Sequence, residues 1–98
     1  MIDFANINRA ALGVLPSLLS RWLPDGRYEG HEYVAHNPRR VDRNLGSFRV
    51  NMVTGKWADF ATDDKGGDVV SLAAYLANIS QVEAARRLAD MLGLRADG

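Results

Sequence analysis

Apolar residues in the first part of the chain recur at intervals of three and four, the period of a helix with one apolar face. The pattern covers residues 4–23. Pro16 interrupts it, so we expect a break over Gly13–Leu15, with the proline in the first turn of a second helix. Pro24–Gly26 is a turn signature, which ends an N-terminal helical segment that spans residues 1–26.

Three short segments then have the composition or the alternation of strands: Glu32–His36, Ser47–Met52 and Lys56–Phe60. A short connection with a glycine, residues 53–55, separates the last two, which predicts an antiparallel hairpin. Side chains alternate along a strand, so the apolar residues of the middle strand share one face and Arg49 lies on the other. One face of the hairpin is therefore expected to be core and the other solvated.

The C-terminal part of the chain predicts two helices. Residues 61–67 form a polar, glycine-rich loop, and Asp68 is a good N-cap for the apolar run that extends to Ile79. Ser80–Glu83 has the spacing of a capping box and precedes a helix over Gln81–Leu92.

Together these elements predict an α+β fold in one domain of 98 residues. It consists of the N-terminal helical segment, a small three-stranded antiparallel sheet, and two C-terminal helices packed on one face of the sheet. The opposite face of the sheet is expected to stay open.

Composition excludes several classes of protein. Hydrophobic residues make up 47% of the chain and charged residues 24%, as in an ordinary globular domain, which excludes disorder throughout. The absence of cysteine excludes disulfides, thiolate zinc sites and a cysteine nucleophile. Because neither a membrane-spanning run nor a signal-peptide pattern is present, we expect a cytoplasmic protein without membrane association.

Charge cancels over the whole chain, with twelve basic and twelve acidic residues, but it does not cancel locally. Residues 27–57 contain six basic and three acidic residues, a local charge of +3. Residues 58–68 contain one basic and four acidic residues, a local charge of −3. The folded surface is therefore expected to be strongly dipolar.

An ordered set of short motifs is the most specific feature of the sequence. A Gly-Ser-Phe strand start precedes an aromatic strand, a Gly-Gly-Asp helix start and a helix with an Ala-x-x-x-Leu pattern. These motifs lie in residues 46–50, 55–60, 66–72 and 80–88. Their order resembles the N-terminal zinc-ribbon domain of bacterial and phage DNA primases and primase-helicases, over residues 33–94.

The chain departs from this family at the positions that bind zinc. The resemblance places the two knuckle cysteines at Phe60 and Asp63, and the upstream Cys-x-x-His region at Asn37–Val41. Because tetrahedral zinc needs four suitable ligands, we expect no metal and no cofactor. We further expect Phe60 to be buried between the sheet and the helix that begins after Asp68, where apolar packing would replace the metal.

The resemblance implies binding of a DNA template and no chemistry, since the primer-synthesising site of such proteins lies in a separate domain. The expected function is a noncatalytic module that binds single-stranded DNA, as in the N-terminal domain of a prophage or mobile-element primase. Arginines would contact phosphates, and the tryptophan would stack on a base. The candidate nucleic-acid-binding residues are Arg39, Arg40, Arg43, Arg49, Lys56 and Trp57.

Each candidate also has a purely structural interpretation. The three arginines that precede the middle strand fit a solvated loop without a ligand. Arg49 could pair across the strands with Asp59, and Trp57 could lie in the core. The acidic residues of segment 59–68 could hold a divalent ion through oxygen ligands, but they lack the spacing of a calcium loop.

A protein-interaction module of a mobile element is the alternative function. Such a module would dock on a helicase, a polymerase, a primase catalytic domain or a host defence complex, through the acidic loop or through Leu18, Leu19 and Trp22. No nucleophile, base and orienting group converge in the sequence, so we do not expect an enzyme.

Overall fold

The fold is described by a computed structural model that covers residues 1–41 and 45–97. In these ranges the helices are α1 Phe4–Gly13, α2 Leu15–Trp22, α3 Val69–Ala77 and α4 Gln81–Leu92. The strands are β1 Arg27–Glu29, β2 Glu32–Ala35, β3 Phe48–Asn51, β4 Trp57–Asp59 and β5 Asp64–Gly66. They form one antiparallel sheet in the order β1-β2-β3-β4-β5.

The predicted break in the N-terminal helical segment is confirmed. Helix α1 ends at Gly13, and α2 begins at Leu15 with Pro16 in its first turn. The missing amide hydrogen of proline costs nothing there, because the first-turn amides of a helix have no partner within the helix. The side chain of Asp3 accepts a hydrogen bond from the amide of Asn6 and caps α1.

The prediction of a three-stranded sheet with two C-terminal helices is wrong, although the α+β class holds. The sheet has five strands, and four helices accompany it in the described part of the chain. The two additional strands, β1 and β5, are the edges of the sheet and have three mostly exposed residues each. Strand β5 contains Asp64, Lys65 and Gly66, which have low strand propensity, and β1 contains one strand-favouring residue, Tyr28. Pairing with β2 and β4 therefore makes these segments strands.

Helix α3 begins as predicted, with Asp68 as its N-cap, but its capping box is one that the sequence analysis did not identify. The Asp68 carboxylate accepts a hydrogen bond from the amide of Ser71, and the Ser71 hydroxyl oxygen accepts one from the amide of Asp68. At α4 the side chain of Ser80 accepts from the amide of Glu83, whereas the Glu83 carboxylate pairs with Arg87. The predicted capping box at α4 therefore has one of its two hydrogen bonds.

The core lies between the sheet and the helices. Helix α1 packs against α3 and α4, and inward side chains of β3 and β4 meet α3. Tyr33 on β2 donates its hydroxyl to the carbonyl of Leu23, 2.6 Å away, which connects the sheet to the end of the helical segment. Within residues 1–41 and 45–97, no helix has the length and apolar character needed to cross a membrane.

Candidate nucleic-acid interface

The sequence-predicted interface residues do not lie on one surface. Trp57 belongs to the core and is 5% exposed, Arg40 binds a buried carboxylate, and Arg39 lies against Tyr75. Arg49 and Lys56 lie on or next to the sheet, and Lys56 is exposed. Arg43 lies outside the described residues.

Trp57 lies inside the protein and Phe60 lies on its surface, the reverse of what the expected DNA interface requires. Trp57 and Asp59 point into the core, so Phe60, which follows the strand, is turned outward and is 69% exposed. The indole N–H of Trp57 donates to the hydroxyl of Ser71 at 2.9 Å, and its ring contacts Tyr75. The prediction that Phe60 is buried is therefore wrong, and the Trp57 ring offers no free face for a base.

A buried carboxylate, that of Asp59, lies where apolar packing by Phe60 was expected. Asp59 is 0% exposed and receives two hydrogen bonds from Arg40, at 2.7 and 3.1 Å. Asn37 donates to the same carboxylate at 2.8 Å, and the amide of Ala61 donates at 2.9 Å. We call Asn37, Arg40, Asp59 and Tyr75 the Asp59 cluster.

The cluster extends to Tyr75 on α3. Asn37 also donates to the Tyr75 hydroxyl at 2.8 Å, and that hydroxyl donates to Asp64 at 2.8 Å. Asn37 and Arg40 come from the segment in which the resemblance placed upstream metal ligands, and Asp59 comes from the edge of the knuckle region. Polar contacts therefore join these two parts of the chain.

The Asp59 cluster changes the acidity of its members. The hydrogen bonds from Arg40 are the largest cause that lowers the pKa of Asp59, from 3.8 to about 2, while burial acts in the opposite direction. Burial raises the pKa of Tyr75, and the nearby carboxylate of Asp64 acts in the same direction. Asp59 is therefore ionised and Tyr75 neutral near pH 7, as their hydrogen bonds require.

The acidic segment does not form a cation site in the described part of the chain. Asp59 is occupied by Arg40, Asp68 caps α3, and Asp64 accepts from Tyr75 and Thr62. Among residues 1–41 and 45–97, no three His, Asp or Glu side chains are grouped so that they could hold a metal ion.

Gly66 has a structural role at the point where β5 meets α3. A β-carbon at this position would collide with the Ser71 hydroxyl and with the indole nitrogen of Trp57. Glycine is therefore required here so that β5 can approach the hydrogen bond between Trp57 and Ser71.

The face of the sheet that points away from the helices carries the basic side chains. Register places Arg27, Arg49 and Lys65 in one row across the sheet, with Val34 and Ala58 between them. Alternation with Trp57 and Asp59 turns the two residues that flank β4 to the same side. We call this set the outward face: Arg27, Arg49, Lys56, Phe60 and Lys65.

Two acidic residues partly neutralise the outward face. Arg49 contacts Glu32 at 3.0 Å and Glu29 at 3.5 Å, and Arg27 contacts Glu29 at 3.0 Å. The expected pair between Arg49 and Asp59 does not form, since Asp59 lies opposite Phe48 and points to the other side of the sheet. The pair between Arg27 and Glu29 is solvent-exposed, so it contributes little and can exchange for a phosphate. Arg49 is partly buried, with 28% of its side chain exposed.

Sequence reasoning missed Arg27, Phe60 and Lys65 as members of one surface. The signal for Phe60 was present, because strict alternation from a buried Trp57 puts residue 60 outside. Alternation could not place Arg27 and Lys65 on this surface, since the sequence analysis predicted no strand over residues 27–29 or 64–66.

No protein-family model matches this sequence, and the search of curated proteins gives no match.

Proposed function

We propose that this chain is a noncatalytic module that binds single-stranded DNA through the outward face of its sheet, as the N-terminal domain of a prophage or mobile-element primase would. The observation that carries the proposal is the row of Arg27, Arg49 and Lys65 across the outward face of the sheet, beside Lys56 and the exposed ring of Phe60. The order of motifs that resembles primase N-terminal domains supports the same function.

The chemistry of the outward face fits a single strand better than a duplex. Lysine and arginine side chains attract phosphates without reading sequence, and an exposed aromatic ring stacks on a base that is already unpaired. In a duplex the bases are stacked on one another, so Phe60 has no partner. Binding is therefore expected to be weak, dependent on salt and stronger for single strands.

Fluorescence anisotropy with a labelled single strand of about 16 nucleotides tests the proposal. We expect a dissociation constant of about 10⁻⁴ to 10⁻⁶ M. Replacement of Lys56 or Lys65 by alanine should weaken binding and lower the salt slope by about 0.7 for each phosphate that the variant no longer neutralises. Arg86→Ala, an exposed arginine of α4, is the matched control and should have no effect.

Phe60→Ala separates stacking from charge. It should weaken binding by about 1 to 3 kcal/mol with an unchanged salt slope, whereas Phe4→Ala on α1 should not change the affinity. Because the Phe60 ring is exposed, its removal should alter the free energy of unfolding by no more than about 0.5 kcal/mol. Absence of binding by the wild-type chain in low salt, or lysine variants that bind like wild type, would contradict the proposal.

A further inference from the structure

We infer that a groove between α2, α3 and α4 binds an acidic amphipathic helix of a partner protein. The groove has a volume of about 430 Å³. We call it the helix groove, and its lining includes Trp22, Leu76, Ile79, Leu88 and Met91. The inference is independent of the proposed DNA binding, because the helices cover the opposite face of the sheet from the outward face.

The lining of the helix groove is suited to apolar side chains. Trp22, Leu76 and Ile79 are half-buried and Met91 is 43% exposed, so apolar surface remains accessible there. Alanines also line the groove, and their small side chains leave space that the neighbouring residues do not fill. These alanines are Ala73, Ala77 and Ala84. Such a groove matches the apolar anchors that an amphipathic helix presents at positions i, i+3, i+4 and i+7.

Three arginines from different parts of the chain lie in the helix groove or contact a residue in or next to it. Arg21 on α2 donates to the sulfur of Met91 at 3.7 Å, and Arg39 donates to Asn78 at 3.2 Å, next to Ile79. Arg87 lines the groove itself.

Of the three arginines in or next to the helix groove, one has a carboxylate partner in the described part of the chain. Arg87 pairs with Glu83, whereas neither Arg21 nor Arg39 forms an ion pair with any residue of ranges 1–41 and 45–97. An occupant that places carboxylates beside its apolar stripe would therefore be attracted, and a basic helix would be repelled.

Leu18 and Leu19, expected as part of an interaction surface, are buried in the core. Trp22, expected with them, is half-buried and lines the groove. The accessible apolar surface thus comes from tertiary packing of α2 against α3 and α4.

Two synthetic peptides of about 15 residues, long enough to form a helix on binding, test the inference. Both carry leucine at i, i+3, i+4 and i+7, and the remaining positions are rich in glutamate in one peptide and in lysine in the other. Titration of the labelled peptides with the full chain, followed by anisotropy, should show that the glutamate peptide binds at least about tenfold more tightly.

Substitutions in the groove and on its rim locate the binding site. Ala77→Glu places a charge on the exposed end of α3 inside the groove and should weaken binding of the glutamate peptide about tenfold. Ala5→Glu, on the exposed side of α1, is the matched control and should leave the affinity unchanged. Arg21→Glu or Arg39→Glu should weaken binding of the glutamate peptide and strengthen binding of the lysine peptide. Circular dichroism confirms that each variant is folded.

Several results would overturn the inference: no binding of either peptide, equal binding of both, or an affinity that Ala77→Glu leaves unchanged. Self-association of the chain that Ala77→Glu abolishes would also overturn it, since a second copy would then be the occupant. Competition by single-stranded DNA would place the peptide on the DNA site instead. Lack of DNA binding alone would leave the helix groove unaffected.

Discussion

The carboxylate of Asp59 joins three segments that are far apart in the sequence. It binds Arg40 and Asn37 from the stretch after β2, and through Asn37 it connects to Tyr75 on α3. A buried carboxylate without partners would be strongly unfavourable, but here both oxygens accept hydrogen bonds. The cluster thus stabilises one arrangement of these three segments.

Asp59→Asn tests how much the Asp59 cluster contributes to the free energy of unfolding. The substitution keeps the volume but removes the counter-charge of Arg40 and turns one acceptor into a donor. Since Arg40 retains some exposure, we expect a loss at the low end of the range for a broken buried pair, about 3 kcal/mol in the free energy of unfolding by urea.

The matched control is Asp63→Asn. Asp63 is exposed and has φ 65°, a left-handed conformation that asparagine also adopts. Its replacement should change stability by no more than about 0.5 kcal/mol. Equal effects of the two substitutions would show that the Asp59 cluster contributes little.

The same carboxylate predicts how stability depends on pH. The pKa of Asp59 in the folded chain is about 2, below its ordinary value of 3.8, so folding favours the ionised form. Its contribution of about 2 kcal/mol is fully present above about pH 5 and is lost as the pH falls through 3.8 toward 2.

Urea unfolding of wild type and Asp59→Asn at several pH values isolates this effect, because the other carboxylates titrate in both proteins. The difference in unfolding free energy should be constant above about pH 5 and shrink below pH 4. A difference that stays constant down to pH 2 would mean that the pKa of Asp59 is not lowered in the folded chain.

At the scale of elements, the start of α3 depends on a residue from another helix. The local cap is Asp68, but the amide of Val70 donates to the side chain of Asn8 on α1, at 2.8 Å. Val70 is buried, so water cannot replace this acceptor. Asn8 therefore acts as a second cap and fixes α1 against α3.

Asn8→Ala should leave the amide of Val70 without an acceptor and lower the free energy of unfolding by about 1 to 3 kcal/mol. Asn6→Ala, two residues earlier on the same helix, is the control and should lower the free energy of unfolding by less. Hydrogen exchange gives a specific readout, since the amide of Val70 should lose protection in the Asn8 variant. Unchanged protection would contradict the second-cap role.

The two edge strands also show what an element gains from its neighbours. Strand β5 contains Asp64, Lys65 and Gly66, a combination with little intrinsic tendency to form a strand. Pairing with β4 and the contact between Asp64 and Tyr75 hold it in place. Lysine and aspartate on such an edge also hinder pairing with another sheet.

At the scale of the whole molecule, α1 and α2 complete the core. Their large buried side chains are Ile7, Leu15, Leu18 and Leu19, and Leu23, which directly follows α2, is buried with them. Burial of each contributes about 1.5 to 3 kcal/mol, so together they are comparable with the whole stability of a small domain, about 5 to 15 kcal/mol. The two ends of the chain also meet, in a bridge between Ile2 and Asp97.

A chain that begins at residue 27 is therefore expected not to fold. It should lack a cooperative thermal transition and give poorly dispersed amide resonances. Under the same conditions the full chain should show a cooperative transition and well-dispersed amide resonances. The motif order that resembles primases begins after this segment, so a cooperative transition in the shortened chain would show that residues 33–94 form a stable unit without α1 and α2.

Local patterns in the sequence determined the helices and the central strands. The helical period and Pro16 predicted two N-terminal helices, and alternation with a glycine turn predicted the β3–β4 hairpin. These features depend on interactions between residues close in sequence, such as capping, turn geometry and side-chain period. For the same reason the N-cap role of Asp68 was predictable.

Tertiary structure decided the edge strands, the partners of the arginines and the burial of the Asp59 carboxylate. Strands β1 and β5 exist only through pairing. Packing placed Trp57 in the interior, and alternation along β4 then buried Asp59 and turned Phe60 outward. Arg40 reaches Asp59, and Arg49 reaches Glu32, across distances in sequence that no local pattern specifies. Ion pairs and buried polar contacts are chosen by geometry in space, whereas hydrophobic period and turn chemistry are already present along the chain.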